Sequence, residues 1–221
     1  MLDPGYSEEE RRAIYRAIGE RRDVRSGFVD RALPKDVLER LLASAHRAPS
    51  VGFMQPSRFL VVRDPAIRRA VHDIFELARA EAAQQYRGAR RELYDSLKLE
   101  GILEAPQNLC VVCDADSRRG HGLGRASMPE TAMYSTVCAI QNLWLAARSE
   151  GVGVGWVSIL DPARLRALLR IPERYVLIAY LCLGYVSHFA AEPELEQLGW
   201  EKRATLESVV SYDRFSETEE P

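Results

Sequence analysis

Three arginines and one carboxylate fall within five residues, Arg21-Arg22-Asp23-Val24-Arg25. A guanidinium is a planar fork of donors that matches phosphate oxygens and carbonyl edges. At the end of a helix such a cluster suits an anionic, planar ligand, although a solvated helix end carries the same residue types. Further on comes Ala48-Pro49-Ser50-Val51-Gly52-Phe53-Met54-Gln55-Pro56, which reads as a loop. Together the two segments point to a phosphorylated heteroaromatic cofactor. Asp23 has two readings: a salt-bridge partner that orders its flanking arginines, or a general base. Ser158 closes the run Gly151-Val152-Gly153-Val154-Gly155-Trp156-Val157-Ser158. It is either a satisfied turn hydroxyl or a donor to a ligand. Gly153 and Gly155 would let backbone lie close to a flat ring, because glycine has no Cβ.

Such residues need elements to hold them. Ser7-Glu8-Glu9-Glu10 reads as a capping box, and Ile14, Ala17 and Ile18 put an apolar stripe on the helix that delivers the arginines. Pro34 opens a second helix, with Val37, Leu38, Leu41, Leu42 and Ala45 as its buried face. That helix stops near Ala48, since Pro49 disfavours a helical residue before it. Phe59–Val62 is a strand. The polar, helix-rich stretch from Ala66 to about Leu103 is only weakly amphipathic and reads as an excursion over a site or partner, with a lid around residues 80–104. Leu109–Cys113 is the next strand, and Ser117–Gly124 reads as a mobile loop. Pro129–Glu150 is the best helix; Met133, Val137, Ile140, Leu143, Trp144 and Ala147 form a band wide enough for burial on several sides, within a core or a dimer. Gly151 caps it. The glycines after it follow a helix, so they are no dinucleotide fingerprint. Val154–Ile159 is a strand, Asp161-Pro162 starts a short helix that ends before Pro172, and Tyr175–Val186 is a strand buried on both faces. The polar tail, 188–221, is expected to order by wrapping a partner subunit.

The 221 residues are read as one domain, 1–221. Thirty basic and 32 acidic side chains leave a net charge of −2, which argues against nucleic acid or a membrane surface as the main partner. No run approaches the roughly 18 apolar residues of a membrane span. Met1–Gly5 lacks a charged-then-apolar leader pattern, so the cytoplasm is the default location. Cys110-Val-Val-Cys113 has the spacing of a metal or redox motif. Its neighbours are β-branched, however, and strand residues three apart point to opposite faces. Both cysteines are therefore expected to be free and buried. His46, His72, His121 and His188 lack ligand spacing, so no metal is expected.

A helix ending in Arg21-Arg22-x-x-Arg25, followed by Ala48-Pro49-Ser50 and Gln55-Pro56, resembles the nitroreductase-like flavoproteins. Gly184-Tyr185-Val186 and a tail with Arg203 and Leu206-Glu207 fit the same pattern. Within that fold, Arg21–Arg25, Pro49–Pro56, Ser96-Leu97-Lys98-Leu99-Glu100-Gly101, Gln141–Arg148 and Gly151–Ser158 are similar to the 5,6-dimethylbenzimidazole synthases, over roughly residues 7 to 212. The resemblance implies an α+β fold: a central mixed sheet flanked by helices, in an intertwined homodimer with flavin sites at the subunit interface. It also implies that reduced FMN is bound, reacts with O2 and is consumed as the substrate. The products would be 5,6-dimethylbenzimidazole, the lower ligand of vitamin B12, and erythrose 4-phosphate. A separate flavin reductase would supply the reduced FMN.

By the same resemblance Arg21, Arg22, Asp23, Val24, Arg25, Ser50, Leu99, Gly155, Ser158 and Arg203 hold the flavin. Asp23 is the family's catalytic aspartate, the base for the proton removals of fragmentation. Ser158 is its second catalytic residue, a hydroxyl that steers the oxygen chemistry. Leu99 caps the ring as part of a lid, and Arg203 adds a phosphate contact from the partner chain. Two alternatives stand beside this reading. An NAD(P)H-dependent FMN nitroreductase or flavin reductase would need an open face for a nicotinamide above the flavin. A flavin carrier or sensor without turnover would give Asp23 and Ser158 no joint role.

Overall fold

The computed structural model describes residues 5–216. Residues 1–4, on which the expectation about a leader rests, and 217–221, the end of the tail, lie outside the described residues. The chain divides into two compact units, Met1–Phe189 and Ala190–Pro221. The first is built on four strands, β1 (Ser57–Val62), β2 (Gln107–Asp114), β3 (Val152–Val157) and β4 (Tyr175–Tyr185), in the order β1-β2-β4-β3. Every neighbouring pair among them is antiparallel. The expected mixed character enters at one point, where Asp23 makes a parallel bridge to Val154 on the outer edge of β3. That bridge positions the candidate site.

Six helices flank the sheet: α1 (Glu8–Glu20), α2 (Lys35–His46), α3 (Pro65–Ala82), α4 (Gly88–Ser96), α5 (Thr131–Ser149) and α6 (Pro162–Leu168). The second unit carries α7 (Glu194–Gln197). Ser7 and Glu10 form the reciprocal capping box at the start of α1, at 3.3 and 2.8 Å. Pro34 lies outside α2 rather than opening it: its ψ of 146° is extended, and the helix begins one residue later.

Side chains alternate along the central strands, and the two faces of the sheet collect two cores. Leu109, Val111, Leu181 and Leu183 face α2 and α5, where Leu41, Leu143, Trp144 and Ala147 meet them. Cys110, Val112, Tyr180 and Cys182 face the other way, onto Val71, Phe75, Ile102 and Leu165. Cys110 and Cys113 fall in different clusters, so their sulfurs diverge. All four cysteines are free. Among the described residues no cluster of His, Cys, Asp or Glu could hold a metal. No described helix is long and apolar enough to cross a membrane.

The apolar stripe of α1 faces outward in the single chain: the helix buries no residue, and Ile14 and Ile18 are 43% and 49% exposed. Of the α5 band, Ile140, Leu143, Trp144 and Ala147 are buried, while Val137 remains exposed. The Ser117–Gly124 segment contains a short 3-10 turn, Arg119–Gly122. It is interlocked with the turn at 51–53, where a Cβ on Gly120 would lie 2.2 Å from the Gly52 carbonyl oxygen.

Burial pushes the Cys110 thiol up to about 12 and raises Cys113 and Cys182 as well. Thiolate is the reactive form. Cys110, Cys113 and Cys182 should therefore resist an aromatic disulfide reagent at pH 8 in the native protein and react once it is unfolded. Modification of any of the three without unfolding, read by mass spectrometry, would contradict this packing.

Candidate active site

The site begins where the chain leaves α1. Residues 23 and 24 run beside β3, an edge strand with backbone groups to satisfy. The Val24 N–H donates to the Val154 carbonyl at 3.0 Å. The next N–H along the strand that needs a partner, that of Trp156, donates to Asp23 Oδ1 at 2.9 Å. The other oxygen, Oδ2, accepts both Arg25 Nε (3.0 Å) and Nη2 (2.7 Å). The Asp23 carboxylate is thus fixed at both ends, with its side chain 28% exposed and that of Arg25 14% exposed. Charge-assisted forks of this kind are the strong class of hydrogen bond.

The approach is possible because residue 155 is glycine. A Cβ there would lie 2.1 Å from the Val24 carbonyl oxygen. A Cβ on Gly153 would lie 2.6 Å from Val186 Cγ1 and 3.1 Å from Val24 Cγ2. These two glycines make room for the chain itself, not only for a flat ring as the sequence suggested.

The three arginines divide their work. The Arg21 guanidinium lies over the Trp144 ring, 4.7 Å from its centroid. Arg22 Nη1 turns back to the carbonyls of Gly19 (2.9 Å) and Arg21 (2.7 Å), closing the C-terminal end of α1, where a cation meets the negative end of the helix. Arg25 clamps Asp23. From α5, the Trp144 indole N–H donates to the Arg22 carbonyl at 3.1 Å, and Arg148 Nε to the Glu20 carbonyl at 3.3 Å.

The remaining candidates lie at different distances from this centre. Ser158 is exposed just past the end of β3, two residues beyond Trp156. Two residues of strand are about 6.6 Å. Leu99 is half-buried against the second core cluster. Its neighbour Gly101 packs at Phe28 and at the Arg25 carbonyl, so the 97–101 segment borders the site. Buried Glu100 ties that segment down by accepting Lys98 Nζ at 2.7 Å and the Ile102 N–H. Ser50 is elsewhere. Its hydroxyl accepts the Gln55 N–H, and the adjoining Val51 N–H donates to Ser135 Oγ at 3.2 Å. Ser135 and Trp144 are separated by nine residues of α5, about 13.5 Å of axis. One chain therefore holds Ser50 and the arginines at different levels of the same helix. Arg203 belongs to the second unit, where its N–H donates to Glu196.

With this geometry in view, the comparisons decide the family. A model described as the nitroreductase family matches residues 18–185. The chain belongs to the nitroreductase family. A 5,6-dimethylbenzimidazole synthase of Rhodospirillum rubrum is 49% identical over 183 residues, 83% of this chain and 86% of that protein. One of Rhodobacter capsulatus is 42% identical over 202 residues, 91% and 97% of the two chains. Among solved structures, an oxidised iodotyrosine deiodinase bound to FMN and 3-iodo-L-tyrosine shares the fold at a TM-score of 0.72. Its identity is 23%, and the match covers 91% of this chain and all of that one. The NADPH:FMN oxidoreductase of Vibrio harveyi complexed with NAD+ does so at 0.68 and 16% identity, covering 93% of this chain and 79% of its own.

Within this nitroreductase-family site, sequence reasoning overlooked two contributors. The Trp156 N–H is a backbone group and leaves no mark in the side-chain pattern. Trp144 enters from the sequence as an apolar residue of the α5 band and as part of the Gln141–Arg148 block, with no role of its own. An indole among smaller aliphatics, placed toward the arginine end of the helix, was the available signal.

The tight approach at residue 155 is testable. Gly155→Ala should destabilise the fold by about 1–3 kcal/mol, the usual cost of overpacking. Gly19→Ala, where the new Cβ meets nothing within 4 Å, should be neutral or stabilising by up to about 1 kcal/mol. Urea midpoints of the two variants check this; equal midpoints would remove the close approach of Val24 from the account.

Proposed function

We propose that this chain is a 5,6-dimethylbenzimidazole synthase, cleaving reduced FMN in an O2-dependent reaction to 5,6-dimethylbenzimidazole and erythrose 4-phosphate. The single observation that carries the reading is the doubly held Asp23 carboxylate, set among three arginines and two strand positions from Ser158. Relatives at 42–49% identity over most of the chain, named for this activity, support it. The donor set fits a phosphorylated, planar ligand: three guanidinium groups at one helix end, beside a strand edge that Gly153 and Gly155 let residues 23 and 24 approach closely.

Reduced FMN supplies both the electrons and the ring that is cut, and O2 is the oxidant. The chain's own residues bind, orient and move protons. Arg21 and Arg22 neutralise the phosphate and meet the polar edge of the ring, with the partner's Arg203 as a further phosphate contact. A carboxylate offers about four lone-pair sites. Arg25 uses two on Oδ2 and the Trp156 N–H one on Oδ1. Oδ1 of Asp23 is the atom left to take a proton, at a position held by the other three bonds. The Ser158 hydroxyl donates from the strand end. Leu99 and the 97–101 segment exclude water. The reduced FMN comes from a separate flavin reductase.

The second copy is part of the reading. The apolar residues left exposed on α1 (Ile14, Tyr15, Ile18) and α5 (Tyr134, Val137) are those a two-fold partner would cover. A second copy also brings its Ser50 to a site that lacks one. The interface belongs to the obligate class, above roughly 2,000 Å². Light scattering should give twice the chain mass of 24.9 kDa; a monodisperse monomer at micromolar concentration rules the shared site out.

The activity is tested by adding reduced FMN in air and measuring benzimidazole formed per flavin oxidised. Asp23→Asn should retain FMN binding and let the flavin reoxidise to ordinary FMN with peroxide. Its benzimidazole yield should fall by roughly 10²–10⁴, the usual worth of a positioned base. An undiminished yield leaves Asp23 as the orderer of the arginines alone. If the protein forms no benzimidazole and NAD(P)H reduces its bound FMN, it is a flavin reductase.

A further inference from the structure

We infer that Trp144 is a positioning residue, acting through Arg21 and Arg22 to aim the arginine cluster at the ligand's phosphate. This rests on the reading of that cluster as the phosphate anchor. The indole does three things at once. Its body is 8% exposed within the first core cluster, packed with Leu143, Ala147 and Val154. Its N–H donates to the Arg22 carbonyl at 3.1 Å. Its ring face carries the Arg21 guanidinium at 4.7 Å from the centroid, inside the range of a cation–π contact. Leucine or phenylalanine would fill the same core, but neither has an N–H for the Arg22 carbonyl. A buried indole N–H, for its part, needs an acceptor.

The geometry extends to the carboxylate. The Trp144 ring lies 6.4 Å from that of Trp156, whose backbone N–H holds Asp23 Oδ1. One turn further along α5, Arg148 holds the carbonyl of Glu20. The last turns of α5 thus hold the backbone on both sides of Arg21. An arginine side chain is long and rotamer-rich, and a ring beneath its guanidinium limits where the charge points. Trp144 links the position of that charge to the helix that crosses the core.

The test measures dissociation constants for FMN and riboflavin, which differ by the phosphate alone, together with thermal midpoints. The wild type should prefer FMN. Trp144→Leu removes both the N–H and the ring; it should weaken FMN by about 5- to 30-fold and leave riboflavin within about twofold. Trp144→Phe keeps a ring in the core and should fall between, with FMN weakened and riboflavin not. It carries the test if Trp144→Leu fails to fold. In an Arg21→Ala background the ring has no guanidinium to carry, so Trp144→Leu should cost no more of the FMN preference than Trp144→Phe does, because partners in one contact are not additive. A purely structural Trp144 would lower both affinities together with the midpoint and leave their ratio unchanged; that result overturns the inference while the wild-type preference stands. A wild type that does not prefer FMN overturns the phosphate anchor and the inference with it.

Discussion

The site depends on how an edge strand is completed. β3 has a neighbour on one side only, β4, and an edge strand leaves donors and acceptors unpaired. Here the chain leaving α1 supplies what is missing. The Val24 N–H takes the Val154 carbonyl, and the Asp23 side chain takes the Trp156 N–H. Asp23 therefore has a structural duty in the strand edge and an electrostatic one toward Arg25, and both pin the same carboxylate. The bare Cα of Gly155 is the geometric condition for this: the Val24 carbonyl passes where any side chain would begin.

The two readings of Asp23 are compatible for that reason. A carboxylate that only ordered arginines would need the Arg25 fork alone. One that only took protons would need to be open and movable. The observed group is held by three bonds and keeps acceptor capacity on Oδ1, which suits a base that must be still while the substrate changes shape. The bordering 97–101 segment is tied down from below. Buried Glu100 holds Lys98 and the Ile102 N–H, and Arg68 of α3 gathers the carbonyls of Ile102, Leu103 and Ala105.

α5 organises the rest. Its inner face belongs to the first core and its C-terminal turns hold the arginine segment, while Ser135 near its other end holds the loop that carries Ser50. Its outer face is left exposed at Tyr134 and Val137. A single helix thus sets the level of both candidate binding segments and offers a surface for a second copy.

Much was legible in the chain by itself. The capping box at Ser7, the core face of α2, the strands around Leu109 and Tyr180, and the diverging Cys110 and Cys113 all follow from short-range rules. A hydroxyl reaches its own third amide, and side chains repeat every two or 3.6 residues. The family blocks around Arg21, Ser50, Leu99 and Ser158 were legible as residue order. The tertiary structure decided the division of labour among the three arginines, the donation of the Trp156 N–H to a carboxylate 133 positions earlier, and the glycine required opposite Val24. It also left the α1 stripe exposed and locked Gly120 against Gly52. Periodicity records which side of an element is apolar, but not which backbone amide or carbonyl a distant segment will meet. Those partners are selected by how the sheet edge, the end of α1 and the last turns of α5 pack together.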